Sequence, residues 1–295
     1  MNQISHVQRY TALPRSMRAR AALTAEALHA RSRILVDFLD VRMEAIIVGW
    51  IAVVVGLGLA KVAFEALGLL PAMAAMLPFL LVAFAPIAGY RVAAGSFPRG
   101  LLSAQPILRL CRYGSWRQLD PLTARQSPAF GPTGFMASLL AGLLLNVPFR
   151  TFEFILAVPV IPPGSPVWAQ QLLLAMTADV VIMNFFYAVC FVMALRSVPL
   201  FPRMLLFAWT ADVVLQLVIA RQVAALPDLP SSVATSLNLL LHGNVEKVMV
   251  SVFVWLPYLI LSERVNVTFR QRIRTSNDAN DALSSKSLRA GGDEE

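Results

Sequence analysis

The sequence predicts an all-α fold, a polytopic membrane helical bundle with six transmembrane helices. Two observations carry that prediction. Of the 295 residues only 14% are charged and 57% are hydrophobic, with a mean hydropathy of +0.65, whereas a soluble domain carries about 25% charged residues. Six apolar stretches, at 44–70, 72–90, 133–161, 168–195, 201–221 and 246–262, also match the roughly 17–25 residues that cross a ~30 Å hydrocarbon core.

Taken in order, residues 1–43 form a basic segment. Within it, 15–43 mix Leu, Ile, Val and Phe with Arg and Glu, a composition that suits a helix lying along the membrane interface. Its first apolar run begins only after Glu44, too late for a signal peptide, so the segment is expected to be retained. Residues 44–95 form a hairpin of two spans separated by Pro71. GxG at 56–58 suits close helix packing, and Lys61 with Glu65 reads as an i,i+4 snorkelling pair.

The connection 96–132 opens with SFPRGLLSAQPILRLCRYGSWRQ (96–118), a second interfacial stretch with Tyr113 and Trp116 as headgroup anchors. A partner-binding surface is the alternative for both interfacial stretches. Residues 133–269 form a four-helix transmembrane domain. PPGSP (162–166) makes a tight turn, and a short helix starts at Ser231 or Ser232 within 222–245. The tail, 270–295, becomes rich in Ser, Asn, Asp and Gly from Ser276 onward and is expected to be disordered.

Orientation follows from the basic residues. With six spans, 21 of the 25 Lys and Arg fall in 1–43, 91–132, the turn with Arg196 and Arg203, and the tail, all on one side. The positive-inside rule makes that side cytoplasmic, with both termini on it, and the chain reads as a bacterial inner-membrane protein. The same charge suits anionic lipid headgroups. No nucleic-acid fold is recognisable.

Against this apolar background one pentapeptide occurs twice. LLLAMTADVV (172–181) and LLFAWTADVV (205–214) agree at eight of ten positions. Asp179 and Asp212 would each lie roughly 16 Å along antiparallel helices, near the bilayer middle. A charge there costs at least ~2.5–3.5 kcal/mol on insertion scales, so it should find a partner. NVPFRTFEFIL (146–156) offers Arg150, with Glu153 three residues on along the same helical face. Pro148 frees backbone carbonyls near Asn146. The expected cluster is Arg150, Glu153, Asp179 and Asp212, with Thr177 and Thr210 as hydroxyl donors and Asn184 within reach. Three acids facing one base imply a proton shared among them. Such a cluster acts either as structural glue or as a site that handles protons or a ligand.

Other chemistry is missing. The three histidines, at 6, 29 and 242, do not cluster, so no metal site is expected. No phosphate-binding, dinucleotide or nucleophile-elbow motif occurs. Cys111 and Cys190 suggest no disulfide framework. No cofactor is expected.

The last span and its exit read VFVWLPYLILSERVNVTF (252–269). Trp255, Pro257 and Tyr258, then Ser262, Arg264 and Val265, then Thr268 and Phe269 form a pattern. It resembles the end of a bacterial membrane family catalogued as domain-of-unknown-function family 2569. RSVPLFPRM (196–204) is similar to that family's cytoplasmic turn, with Phe201 and Pro202 matching, so the resemblance covers about 130–270, the last four spans. This chain departs from the pattern by two added spans and a long basic N-terminal segment. The resemblance implies the architecture but no activity.

Physically, Trp255 and Tyr258 are expected to pack within the bundle, Pro257 to kink the span, and Arg264 to meet lipid phosphates. The reading that follows is a non-catalytic inner-membrane protein, an accessory or assembly subunit with a membrane protein partner. The alternative is a small proton-coupled transporter or channel using the midplane carboxylates.

Overall fold

The computed structural model describes residues 15–100, 105–106, 115–227 and 229–275, with 15–29 as backbone alone. Helix α1 (Arg15–Phe64) is followed by α2 (Leu69–Ser96), β1 (Trp116–Gln118), α3 (Pro121–Gln126) and α4 (Phe135–Ala157). Then come α5 (Val167–Leu195), α6 (Phe201–Ala224), α7 (Ser231–Leu261), α8 (Glu263–Arg270) and β2 (Arg272–Arg274). Six of these helices, α1, α2 and α4–α7, are long and apolar enough to cross a membrane. The chain is a multi-pass membrane protein. We call the side bearing the starts of α4 and α6 and the ends of α2, α5 and α7 the terminal face.

Helix α5 lies at the centre, packed against α2, α4 and α6. Its composition suits that position, being largely apolar and the most buried of the six spans, as expected of a helix with more than one apolar face. Contact with α2 is close because Gly89 has no side chain: a Cβ there would lie 2.4 Å from the Phe185 carbonyl oxygen. Gly58 serves the α1–α2 contact in the same way, its missing Cβ leaving room for Phe79. Helix α7 packs mainly on α6 and is the least buried of the six spans.

Four sequence expectations change. Residues 15–43 do not form a separate interfacial helix. They run unbroken into the first span as α1, and Ser32 Oγ accepts from the Gly134 amide at 2.7 Å. The first hairpin breaks at 65–68, where Ala66 has φ 47°, and Pro71 sits inside α2. A first-turn N–H has no intrahelical partner, so proline is tolerated there. The short helix expected within 222–245 does begin at Ser231, but it continues as α7.

Lastly, Trp116 belongs to β1, which pairs antiparallel with β2, Trp116 opposite Arg274 and Gln118 opposite Arg272. Residues 270–275 are therefore ordered by ladder hydrogen bonds. Tyr113 and everything from Ser276 onward lie outside the described residues.

Basic side chains close the exposed ends of helices, where the last carbonyls lack partners and carry partial negative charge. Arg196 donates to the carbonyls of Ala94 and Phe97 at the end of α2. Lys61 donates to those of Ile155 and Val158 at the end of α4. Lys61 is thus a cap for another helix, not simply the partner of Glu65.

Candidate functional site

Helix α4 runs through Pro148 and carries Arg150 into the seam between α5 and α6. Its guanidinium grips Asp212 with two prongs, Nη1 to Oδ2 at 2.7 Å and Nη2 to Oδ1 at 2.8 Å. Nη2 also donates to Asp179, to Oδ2 at 3.0 Å and Oδ1 at 3.3 Å. Planar, forked donation of this kind is the strongest pairing available to a carboxylate. Tyr187 Oη donates to Asp212 Oδ2 at 2.8 Å, and Gln216 Nε2 donates to Asp179 Oδ1 at 2.8 Å. All four carboxylate oxygens therefore receive a donor. The side chains of Asp179 and Asp212 are 3% and 1% exposed, so both carboxylates are buried within the bundle.

Glu153 does not join it. Its carboxylate pairs with Lys247 of α7, and both side chains are about half exposed, at 47% and 59%. Three residues advance about 300° around a helix, so Glu153 is offset from Arg150 by about 60°. That offset turns it to the α7 side. Lys247 also changes the charge balance: three acids meet two bases, leaving one carboxylate uncompensated instead of two.

The threonines separate. Thr210 is exposed and donates to its own helix at the Leu206 carbonyl, 2.9 Å away, so it is no donor to the cluster. Two residues are about 200° on a helix, so with Asp212 pointing inward Thr210 points out. Thr177 has the same offset from Asp179, but α5 packs against three helices. Thr177 is therefore buried, and its hydroxyl has no partner among the described residues. Asn184 reaches Thr151 at 2.9 Å and not the acids.

Tyr187, Gln216 and Lys247 escaped the sequence reading. Gln216 was the most readable, an amide four residues after Asp212 on the same face of an apolar helix. Asn244 extends the network, donating to Gln216 Oε1 at 3.4 Å.

Beside the cluster, between α4 and α7, lies a cavity of about 350 Å³. Arg150, Asp212 and Tyr187 line its inner end, with Asn146 and Ser251 on its walls and Glu153 and Lys247 among its charged lining. Its charged and polar lining suits a polar group.

The residues of the exit motif act together at the terminal face. Trp255 and Tyr258 are half-buried and form a triad with Phe135, at ring separations of 5.0 and 4.9 Å. Helix α7 continues through Pro257 to Ser262, which separates it from α8. Arg264 donates inward to Thr133 Oγ1 at 2.8 Å, and desolvation lowers its pKa. Thr268 Oγ1 accepts from the Gly131 amide at 3.0 Å. Val265 and Phe269 are fully buried, and Phe269 packs on Phe201 with ring centroids 5.0 Å apart. Residues 196–204 and the exit motif thus touch one another.

Among the described residues no group of His, Cys, Asp and Glu could hold a metal ion. No family model, curated protein or solved structure matches the chain.

Proposed function

We propose that this chain is a non-catalytic bacterial inner-membrane protein with cytoplasmic termini, an accessory or assembly subunit of a larger membrane complex. The observation that supports this reading most is the Glu153–Lys247 pair. Half-exposed charges within two spans are costly against hydrocarbon, and a polar segment of a membrane partner, seated between α4 and α7, would cover them. The Arg150 cluster supports it too, because every carboxylate oxygen is already engaged. That arrangement suits a fixed tie between helices.

A photo-crosslinking residue at Ser251 in the native membrane tests the reading. One defined protein adduct is expected, weakened by Lys247→Glu and absent when the probe sits at Leu239. Lipid adducts alone at Ser251 would refute it.

The second reading is proton-coupled transport, favoured by the cavity that reaches Arg150 and Asp212. Proteoliposomes containing a pH-sensitive dye distinguish the two. Proton flux abolished by Asp212→Asn would select transport.

A further inference from the structure

Gly142, Asn146, Phe149 and Glu153 follow one another on α4 at helical intervals, so they share one face of that helix. The stripe is about 16 Å long at ~1.5 Å per residue, and all four residues line the cleft beside α7. Gly142 is exposed, and a Cβ there would meet nothing within 4 Å. The half-buried Asn146 carboxamide has no hydrogen-bond partner among the described residues. Across the cleft stand Lys247 and Ser251, one turn apart on α7.

The charges along the cleft balance. Its lining sets Arg150 and Lys247 against Asp212 and Glu153, so an occupant should be neutral overall yet offer both signs. Lys247 Nζ donates to Glu153 Oε1, which places this half-exposed pair at nearly one depth. In hydrocarbon such a pair is a dipole whose outer sides still need partners. A two-fold axis along the membrane normal keeps every depth and reverses every direction in the plane. It therefore brings a second Lys247 against Glu153 and a second Glu153 against Lys247. The same axis turns two Asn146 carboxamides toward each other, and a carboxamide is both donor and acceptor for its own kind. At Gly142 two α4 backbones can come close, as small residues allow between membrane helices.

We propose that a second copy of this chain covers the cleft, joined by a two-fold seam. Glu153 and Lys247 pair between the copies there, and Asn146 pairs with its counterpart. The inference rests on the reading that a membrane partner sits between α4 and α7, and it names that partner. A different protein would have to bring both charges at one depth and a carboxamide about two turns away. A second copy brings all three by symmetry.

The test is Förster transfer between donor- and acceptor-tagged copies of the full chain in phosphatidylcholine liposomes, over a range of protein-to-lipid ratios. Transfer above that of randomly placed proteins is expected. Lys247→Glu copies should not associate with one another, nor should Glu153→Lys copies, because like charges then meet across the seam. Mixed together, the two variants should regain the transfer, since a copy with two acids meets a copy with two bases. A pair that acts only within one chain gives no such rescue. Gly142→Leu leaves the charges intact and enters open space, and it should abolish association by holding the copies apart. Asn146→Leu should weaken association about three-fold, the worth of one hydrogen bond between membrane helices. Transfer at the random level, no rescue on mixing, or indifference to Gly142→Leu would overturn the proposal. In the native membrane the Ser251 probe separates it from the broader reading. An adduct of two copies supports the second copy, an adduct with a different protein overturns the second copy alone, and lipid adducts alone overturn both.

Discussion

Arg150 and Glu153 are one helical turn apart on α4, yet they occupy opposite kinds of environment. Arg150 is enclosed by two aspartates, while Glu153 meets Lys247 in the open cleft beside α7. The difference teaches that an i,i+3 spacing of opposite charges does not itself make a pair. A buried guanidinium needs several acceptors at once to offset its desolvation. Two facing helices supply these better than one neighbour on its own helix. Glu153 is then left to whichever cation the more loosely attached helix brings.

The largest expected effect breaks the enclosed side. Arg150→Ala strands two buried carboxylates and should destabilise the protein by about 3–5 kcal/mol. In denaturant unfolding from mixed micelles, adding Asp179→Asn and Asp212→Asn to Arg150→Ala should recover part of that loss. A triple variant no more stable than Arg150→Ala would mean the aspartates do not depend on Arg150.

Tyr187→Phe removes one donor from Asp212 but leaves both prongs of Arg150. The same unfolding assay should register about 1–2 kcal/mol, less than any loss of Arg150. A change as large as that of Arg150→Ala would place the tyrosine, not the arginine, at the centre of the enclosed side.

The open side should respond weakly. Glu153→Gln and Lys247→Gln should each cost about 1 kcal/mol or less, and their double-mutant cycle should give a coupling of about 0.2–1 kcal/mol. A coupling of several kcal/mol would show that the cleft is closed in the membrane and that the contrast with Arg150 is one of degree.

Much of this was legible in the sequence, for identifiable reasons. Six apolar runs announce six spans because hydrocarbon demands internally satisfied backbone. The cost of membrane charge singled out Arg150, Asp179 and Asp212 in the same way. What could not be read depends on rotation and on neighbours remote in sequence. Lys247 lies 94 residues from Glu153, and nothing local aims one at the other. Thr177 and Thr210 look alike in identical pentapeptides, although α5 packs on three helices and α6 on two. The β1–β2 pairing joins segments too distant and too short to leave a periodic pattern. The continuity of α1 was hidden by its change of composition, since a helix can cross from polar to apolar surroundings without breaking.

The smallest expected effect concerns that repeated pentapeptide and separates its two copies. Thr210 bonds only to its own helix and faces outward, so Thr210→Ala should change stability by no more than about 0.5 kcal/mol. Thr177→Val is a different experiment at the matching position. It replaces a buried hydroxyl that has no partner among the described residues with a methyl group of similar shape. An unpartnered buried polar atom carries its full desolvation cost, so the valine should be neutral or slightly stabilising. Equal and substantial losses in both variants would mean that each threonine donates to its neighbouring aspartate in the membrane. The two copies would then be equivalent, and α6 would have to turn Thr210 inward, drawing it toward the enclosed side that Arg150 defines.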